Sequence, residues 1–126
     1  MRHIIAILAA MILLVGAILW GAPAAGIEGT WLGKAEVPNS GIDELTMVLT
    51  KTEKGYTGIT SDSVGLLAKD TPLSDIKLEG DKLTFKFPLA DGAMISATLK
   101  VEGDKMTGGW GHEAGDVGSL AFERKK

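Results

Sequence analysis

Residues 76–87 read I-K-L-E-G-D-K-L-T-F-K-F, and residues 99–110 read L-K-V-E-G-D-K-M-T-G-G-W. The same pattern occurs twice: an alternating run, a Gly-Asp pair, and a second alternating run. In the first copy Ile76 and Leu78 alternate with Lys77 and Glu79, and Leu83, Phe85 and Phe87 alternate with Thr84 and Lys86. A period of two places every second side chain on one face, the signature of a half-buried strand. Gly80-Asp81 and Gly103-Asp104 suit two-residue hairpin turns, which need positive backbone angles. Both stretches therefore read as antiparallel hairpins.

Working outward, the same alternation predicts strands at about 29–37, 44–51, 55–61, 73–79, 82–88, 93–101, 105–110 and 117–124. Trp31, Gly33, Ala35 and Val37 share one face of the first, and Leu45, Met47 and Leu49 one face of the second. The third is ambiguous, and Tyr56 is assigned inward. Ala93, Ile95, Ala97, Leu99 and Val101 face together, as do Met106, Gly108 and Trp110, and then Leu120 and Phe122. Segments 38–43, 62–72, 88–92 and 111–116 read as loops by composition. Eight short strands, with no helical pattern after residue 26, predict an all-β, eight-stranded, antiparallel up-and-down meander barrel. Closing such a sheet removes its exposed edges. Eight strands leave an interior just wide enough to fill with side chains or to hold one small ligand.

The N-terminus has a different character. Met1-Arg2-His3 is a short basic start, Ile4 to Trp20 carries no charge, and Ala22-Pro23-Ala24 fits the small-x-small rule for signal cleavage. The expectation is a signal peptide over 1–24 and a single barrel domain over 25–126, secreted or periplasmic. The alternative is an uncleaved membrane anchor over 4–20, the only route by which the membrane becomes a partner. Cleavage removes Arg2 and moves the net charge from −3 to −4. The chain has no cysteine, so an exported domain must rest on its core alone. Dispersed acidic charge offers no nucleic-acid footprint.

Gly29-Thr30-Trp31 resembles the Gly-x-Trp opening of the calycin barrels, of lipocalin and avidin type. That resemblance implies that Trp31 plugs one barrel end and that Arg124, on the face of Phe122, packs across it. A cation–π contact of this kind contributes about 0.5–2 kcal/mol. The span 29–124 is also similar to small exported bacterial domains, some fused ahead of serine hydrolases. The shared features are Gly80 to Phe85, Thr107 to Trp110 and the Phe122-Glu123-Arg124 ending. The second resemblance implies fold and export rather than an activity. The chain is much shorter than a lipocalin and lacks lipocalin disulfides.

Meander topology sorts the loops. The tight turns at 51–55, 79–82 and 101–105 fall with the chain start and end, and make a closed end. The longer loops fall at the other end, where binding groups usually sit. That open end gathers Asp43, Glu44, Asp62, Asp70, Asp91, Glu113 and Asp116 against Lys69 alone, a field that favours cations. Trp110, near the open mouth among Gly108, Gly109 and Gly111, is the leading ligand contact. Met47, Phe87 and Tyr56 are the inward partners, and Ser61, Asp62 and His112 the polar ones. Each has a plainer explanation: core packing for the apolar residues, turn chemistry for Ser61 and Asp62, solvation for His112.

Cleavage leaves His112 as the one histidine, which excludes a multi-histidine zinc site. No H-E-x-x-H or nucleophile-elbow pattern occurs. The Gly-rich pieces precede strands rather than helices, so they do not cradle phosphate. No cofactor, metal or catalytic pair is implied. The expectation is non-enzymatic binding of a small apolar, neutral or cationic ligand at the open end. The alternative is contact with an exported protein, such as inhibition of a hydrolase, through the acidic loops. Mass spectrometry of the protein from its native envelope should show a start at Ala25 or Gly26; intact Met1 in the membrane fraction would favour the anchor.

Overall fold

The apolar–polar alternation passes directly into the burial of the strands. In the computed structural model, which describes residues 26–126, β1 (Gly29–Val37) buries Trp31, Gly33 and Ala35 and exposes Leu32, Lys34 and Glu36. β2 (Gly41–Thr52) buries Asp43, Leu45, Met47 and Leu49. After β3 (Gly55–Asp62) and β4 (Thr71–Pro72) come β5 (Ser74–Glu79) and β6 (Lys82–Pro88), which buries Leu83, Phe85 and Phe87. β7 (Met94–Glu102), β8 (Lys105–His112) and β9 (Val117–Arg124) complete the chain. The predicted signal segment lies outside the described residues.

The nine strands of the described residues form one antiparallel sheet in the order β4-β3-β2-β1-β9-β8-β7-β6-β5. The first and last long strands are neighbours, with Trp31 opposite Arg124, Gly33 opposite Phe122 and Ala35 opposite Leu120. The seam therefore falls in mid-chain, between β3/β4 and β5. It is narrowed by a backbone bond from the Leu73 N–H to the Gly58 carbonyl, 2.9 Å. On the far side of that bond β5 is bulged between Ser74 and Lys77, with Asp75 at φ 50°. The barrel is nearly closed.

The strand count differs from the eight expected. The additional strand, β4, lies inside the segment 62–72 that composition marks as a loop. Two residues are too few to show a period. What forms it is local: Asp70 turns at φ 55°, and the buried Thr71 hydroxyl donates to the Ala68 carbonyl at 2.6 Å. Pro72 has no N–H to give and sits on the sheet margin, where none is needed. β2 also begins at Gly41 rather than 44, because Asn39 (φ 66°) and Gly41 (φ 86°) reverse the chain tightly enough to extend its ladder to Val37. In both Gly-Asp turns only the glycine is in the positive region, Gly80 at 64° and Gly103 at 63°. Glycine at the first central position is the type II′ pattern.

The closed end is built around Trp31, which is fully buried. The lead-in Gly26–Glu28 folds beneath the barrel. The indole Nε1–H donates to the Ile27 carbonyl at 3.0 Å. The Arg124 guanidinium lies 4.4 Å from the Trp31 ring centroid. Its Nη1 donates to the Glu28 carbonyl at 2.6 Å, its Nη2 to the Gly26 carbonyl at 3.0 Å, and its Nε to Asp104 Oδ1 at 2.9 Å. Trp31→Ala should cost about 3–5 kcal/mol, as for large buried aromatics. Arg124→Ala should cost less, and Arg124→Lys should not restore it, since an ammonium has its three donors on one nitrogen and no flat face, so it cannot span Asp104 and both carbonyls while lying over the indole. Thermal melts of the three variants check this; wild-type melting in both alanine variants would contradict it.

Candidate functional site at the open mouth

A cavity of about 250 Å³ occupies the open end. Its wall is apolar where the inward strand faces reach it: Ala35, Leu45, Phe87, Ile95 and Leu120. Leu66 and Leu67 enter from the β3–β4 connection, and Leu89 from the β6–β7 loop. The connection is fastened across the mouth. Ser63 N–H donates to the Glu44 carbonyl at 2.9 Å, and Ala90 N–H to the Leu66 carbonyl at 2.8 Å. Leu67 is buried as a result.

Into this apolar wall the fold places a carboxyl group. Asp43 stands opposite Ala35 on the inward face of β2 and is only 4% exposed. Its Oδ1 accepts from the Ser63 N–H and the Ser63 hydroxyl, each at 3.2 Å. Asp62 lies against it and accepts from the backbone N–H groups of Leu66 (2.9 Å) and Leu67 (3.2 Å). Burial, then a hydrogen bond and charge repulsion from Asp62, push the Asp43 carboxyl up to about 6, against the pull of Ser63.

Trp110 lines the cavity with half-buried indole. Its ring lies against Gly118, where a Cβ would collide with it, and its Nε1–H donates to the Glu36 carbonyl at 3.1 Å. The indole thus braces β8 across β9 to β1 and leaves its remaining surface to the cavity. His112 ends β8 beside it. Its Nδ1 accepts from Ala114 N–H at 2.9 Å, which selects the tautomer with the proton on Nε2. Asp116 completes the rim, its carbonyl bound to His112 N–H at 2.8 Å.

Of the residues singled out by sequence, Trp110, Phe87 and His112 meet at this cavity, and Asp62 supports it from behind. Tyr56 does not: it follows the β2–β3 turn, and its hydroxyl lies beside Gly26 at the closed end. Met47 is fully buried opposite Trp31, in the core below the cavity. Ser61 accepts from Asp70 N–H at 3.1 Å and borders a separate concavity on the outer face, about 850 Å³, along Leu32, Lys34 and Thr46. Sequence reading placed Asp43 in the acidic rim without its burial. The signal was present: running the Leu45–Met47–Leu49 alternation back two residues puts Asp43 inside, once β2 is seen to start at Gly41. Among the described residues no three His, Asp or Glu side chains are arranged to hold a metal.

No protein-family model matches the chain, and no curated protein matches it in sequence. Among solved structures it is similar to a de novo designed fluorescence-activating β-barrel. The TM-score is 0.57 at 18% identity, over 81% of this chain and 96% of that one. At that identity the likeness concerns the fold alone.

The raised Asp43 carboxyl has a definite sign in stability. Between its ordinary 3.8 and about 6 the folded state holds a proton that the unfolded chain releases. Its contribution is therefore present at low pH and falls as pH rises through that window. Asp43→Asn keeps an oxygen for Ser63 and removes the titration. Denaturant melts should show the variant gaining on wild type from about pH 4 to 6, with a constant difference above; parallel curves throughout would contradict the raised value.

Proposed function

We propose that this protein is an exported, non-enzymatic binding barrel that holds a small apolar or neutral ligand in its open mouth. The observation that carries the reading is the mouth cavity itself: an apolar wall, an aromatic edge at Trp110, and a few polar groups gathered at one side. Ligand sites are commonly concave and apolar with a small number of placed polar groups, and the mouths of β-barrels are among their usual positions. At about 250 Å³ the cavity falls just below the usual range of roughly 300–1,000 Å³, which suits a fragment-sized molecule. The fluorescence-activating designed barrel of similar fold is compatible with such a use. The basic start and apolar run of residues 1–24 support export.

A second reading is contact with an exported protein through the open-end loops. It is favoured by large apolar side chains around the rim: Val64 is 57% exposed, Val117 69% and Ile42 51%, beside the acidic loop residues. A protein contact of this kind tolerates a filled lumen, whereas small-molecule binding needs an empty one.

Trp110 should report a neutral probe such as 2-phenylethanol, because Trp31 is sealed at the far end. A saturable fluorescence change should be retained in Trp31→Phe and lost in Trp110→Phe. No response in a folded wild type would move the proposal to the rim and a protein partner.

A further inference from the structure

The cavity holds one group that a purely apolar ligand does not use. Asp43 is a carboxyl only 4% exposed, set among Leu45, Leu67 and Phe87, and a second carboxyl, Asp62, is packed against it. Tethering the β3–β4 connection does not require an acid there. An asparagine would also accept from Ser63, through a weaker neutral bond but without the desolvation penalty of a carboxylate or the repulsion of Asp62. Nor is the charge answered within the protein. Asp62 from β3 lies against Asp43, and the other titratable groups lining the cavity are His112 from β8 and Asp116 from the β8–β9 loop. Among the described residues no lysine or arginine lines the cavity. The Nδ1 of His112 is occupied by the Ala114 N–H, which leaves its Nε2–H to donate. Buried carboxylates are ordinarily paired with a cation or a metal. Here the space beside the carboxyl is an apolar cavity with an indole on its edge, a surface that attracts organic cations through its ring face.

We infer that the mouth cavity takes a small organic cation, an apolar body bearing one ammonium group. Asp43 and Asp116 take the charged end, and Phe87, Ile95 and Trp110 take the body. This rests on the binding reading above and fixes the chemical class of the ligand. A cation in the cavity supplies the missing counter-charge and draws Asp43 into its ionised form. Below about pH 6, where Asp43 still holds a proton against Asp62, binding also releases that proton. Affinity for a cation should accordingly rise with pH across the Asp43 titration, while affinity for a neutral molecule of the same shape should not.

Phenethylamine and 2-phenylethanol differ by this charge and little else. Both are titrated by calorimetry against the protein expressed from its full-length coding sequence, at about pH 7.5 and about pH 5, either side of the Asp43 carboxyl. The expected result is that the amine binds about ten-fold or more tighter than the alcohol at the higher pH, as a charge-assisted bond allows. The preference should shrink to about three-fold or less at the lower pH and in Asp43→Asn, and should weaken with added salt. Equal affinities in the wild type at the higher pH would overturn the inference and leave the binding reading standing. Silence from both probes would overturn the two together. An unchanged preference in folded Asp43→Asn would remove Asp43 from the site; should that variant not fold, Asp116→Asn and the wild-type pH dependence decide in its place.

Discussion

The Arg124 guanidinium stacked on Trp31 is the contact on which the two ends of this barrel depend. It joins the last strand to the first at the point where they pair, and it ties both to the lead-in that covers the lumen. The planar head uses its face for the indole and three edges for Asp104 and the carbonyls of Gly26 and Glu28. Gly26 is half-buried and Glu28 exposed, so these bonds fix the lead-in in place rather than rescue buried acceptors. With β1 and β9 fixed in this way, the weak place in the sheet is displaced to mid-chain, at the β3/β5 seam. There a single backbone bond from Leu73 and the β3–β4 connection take over the work of a continuous ladder.

The asymmetry of the molecule follows. At one end the turns are short, Trp31 fills the lumen and Arg124 satisfies the polar groups. At the other, longer connections lean inward, and Leu67 covers the core without filling it. The small residues help to set this shape. Gly33 leaves its inward position to the Phe122 ring, and Gly118 leaves its own to the Trp110 indole. Side-chain volume is thus moved along the lumen rather than added at each layer, and the space that remains is at the mouth.

Much of this is written in the alternation. Period-two patterning identified every long strand, because each has one dry face and one wet face, and the Gly-Asp pairs located two of the tight turns. Pairing of Trp31 with Arg124 is the geometry that the Gly-x-Trp opening implies. What was not legible has a common cause. β4 and the start of β2 are set by three residues with positive φ, Asn39, Gly41 and Asp70, and by the buried hydroxyl of Thr71, none of which leaves a periodic trace. The shift of β2 by three residues is what carries Asp43 from a solvated loop to a buried wall. Parity turns Tyr56 and Met47 inward, but it says which face a residue occupies and not at which height of the barrel. Their placement at the closed end and in the core follows from strand register, a property of the pairing and not of any one strand.

The lumen is sealed by Trp31 at one end, and the binding proposal requires that it take a small molecule at the Trp110 end. Methyl-resolved NMR during titration with 2-phenylethanol tests it most directly, because leucine and isoleucine methyls mark both ends. Saturable shifts should appear at Leu67, Leu89, Ile95 and Leu120, while Leu49 and Leu83, near the closed end, stay still. Shifts confined to Leu32 on the outer face, or none at the mouth residues up to saturating probe, would contradict the account.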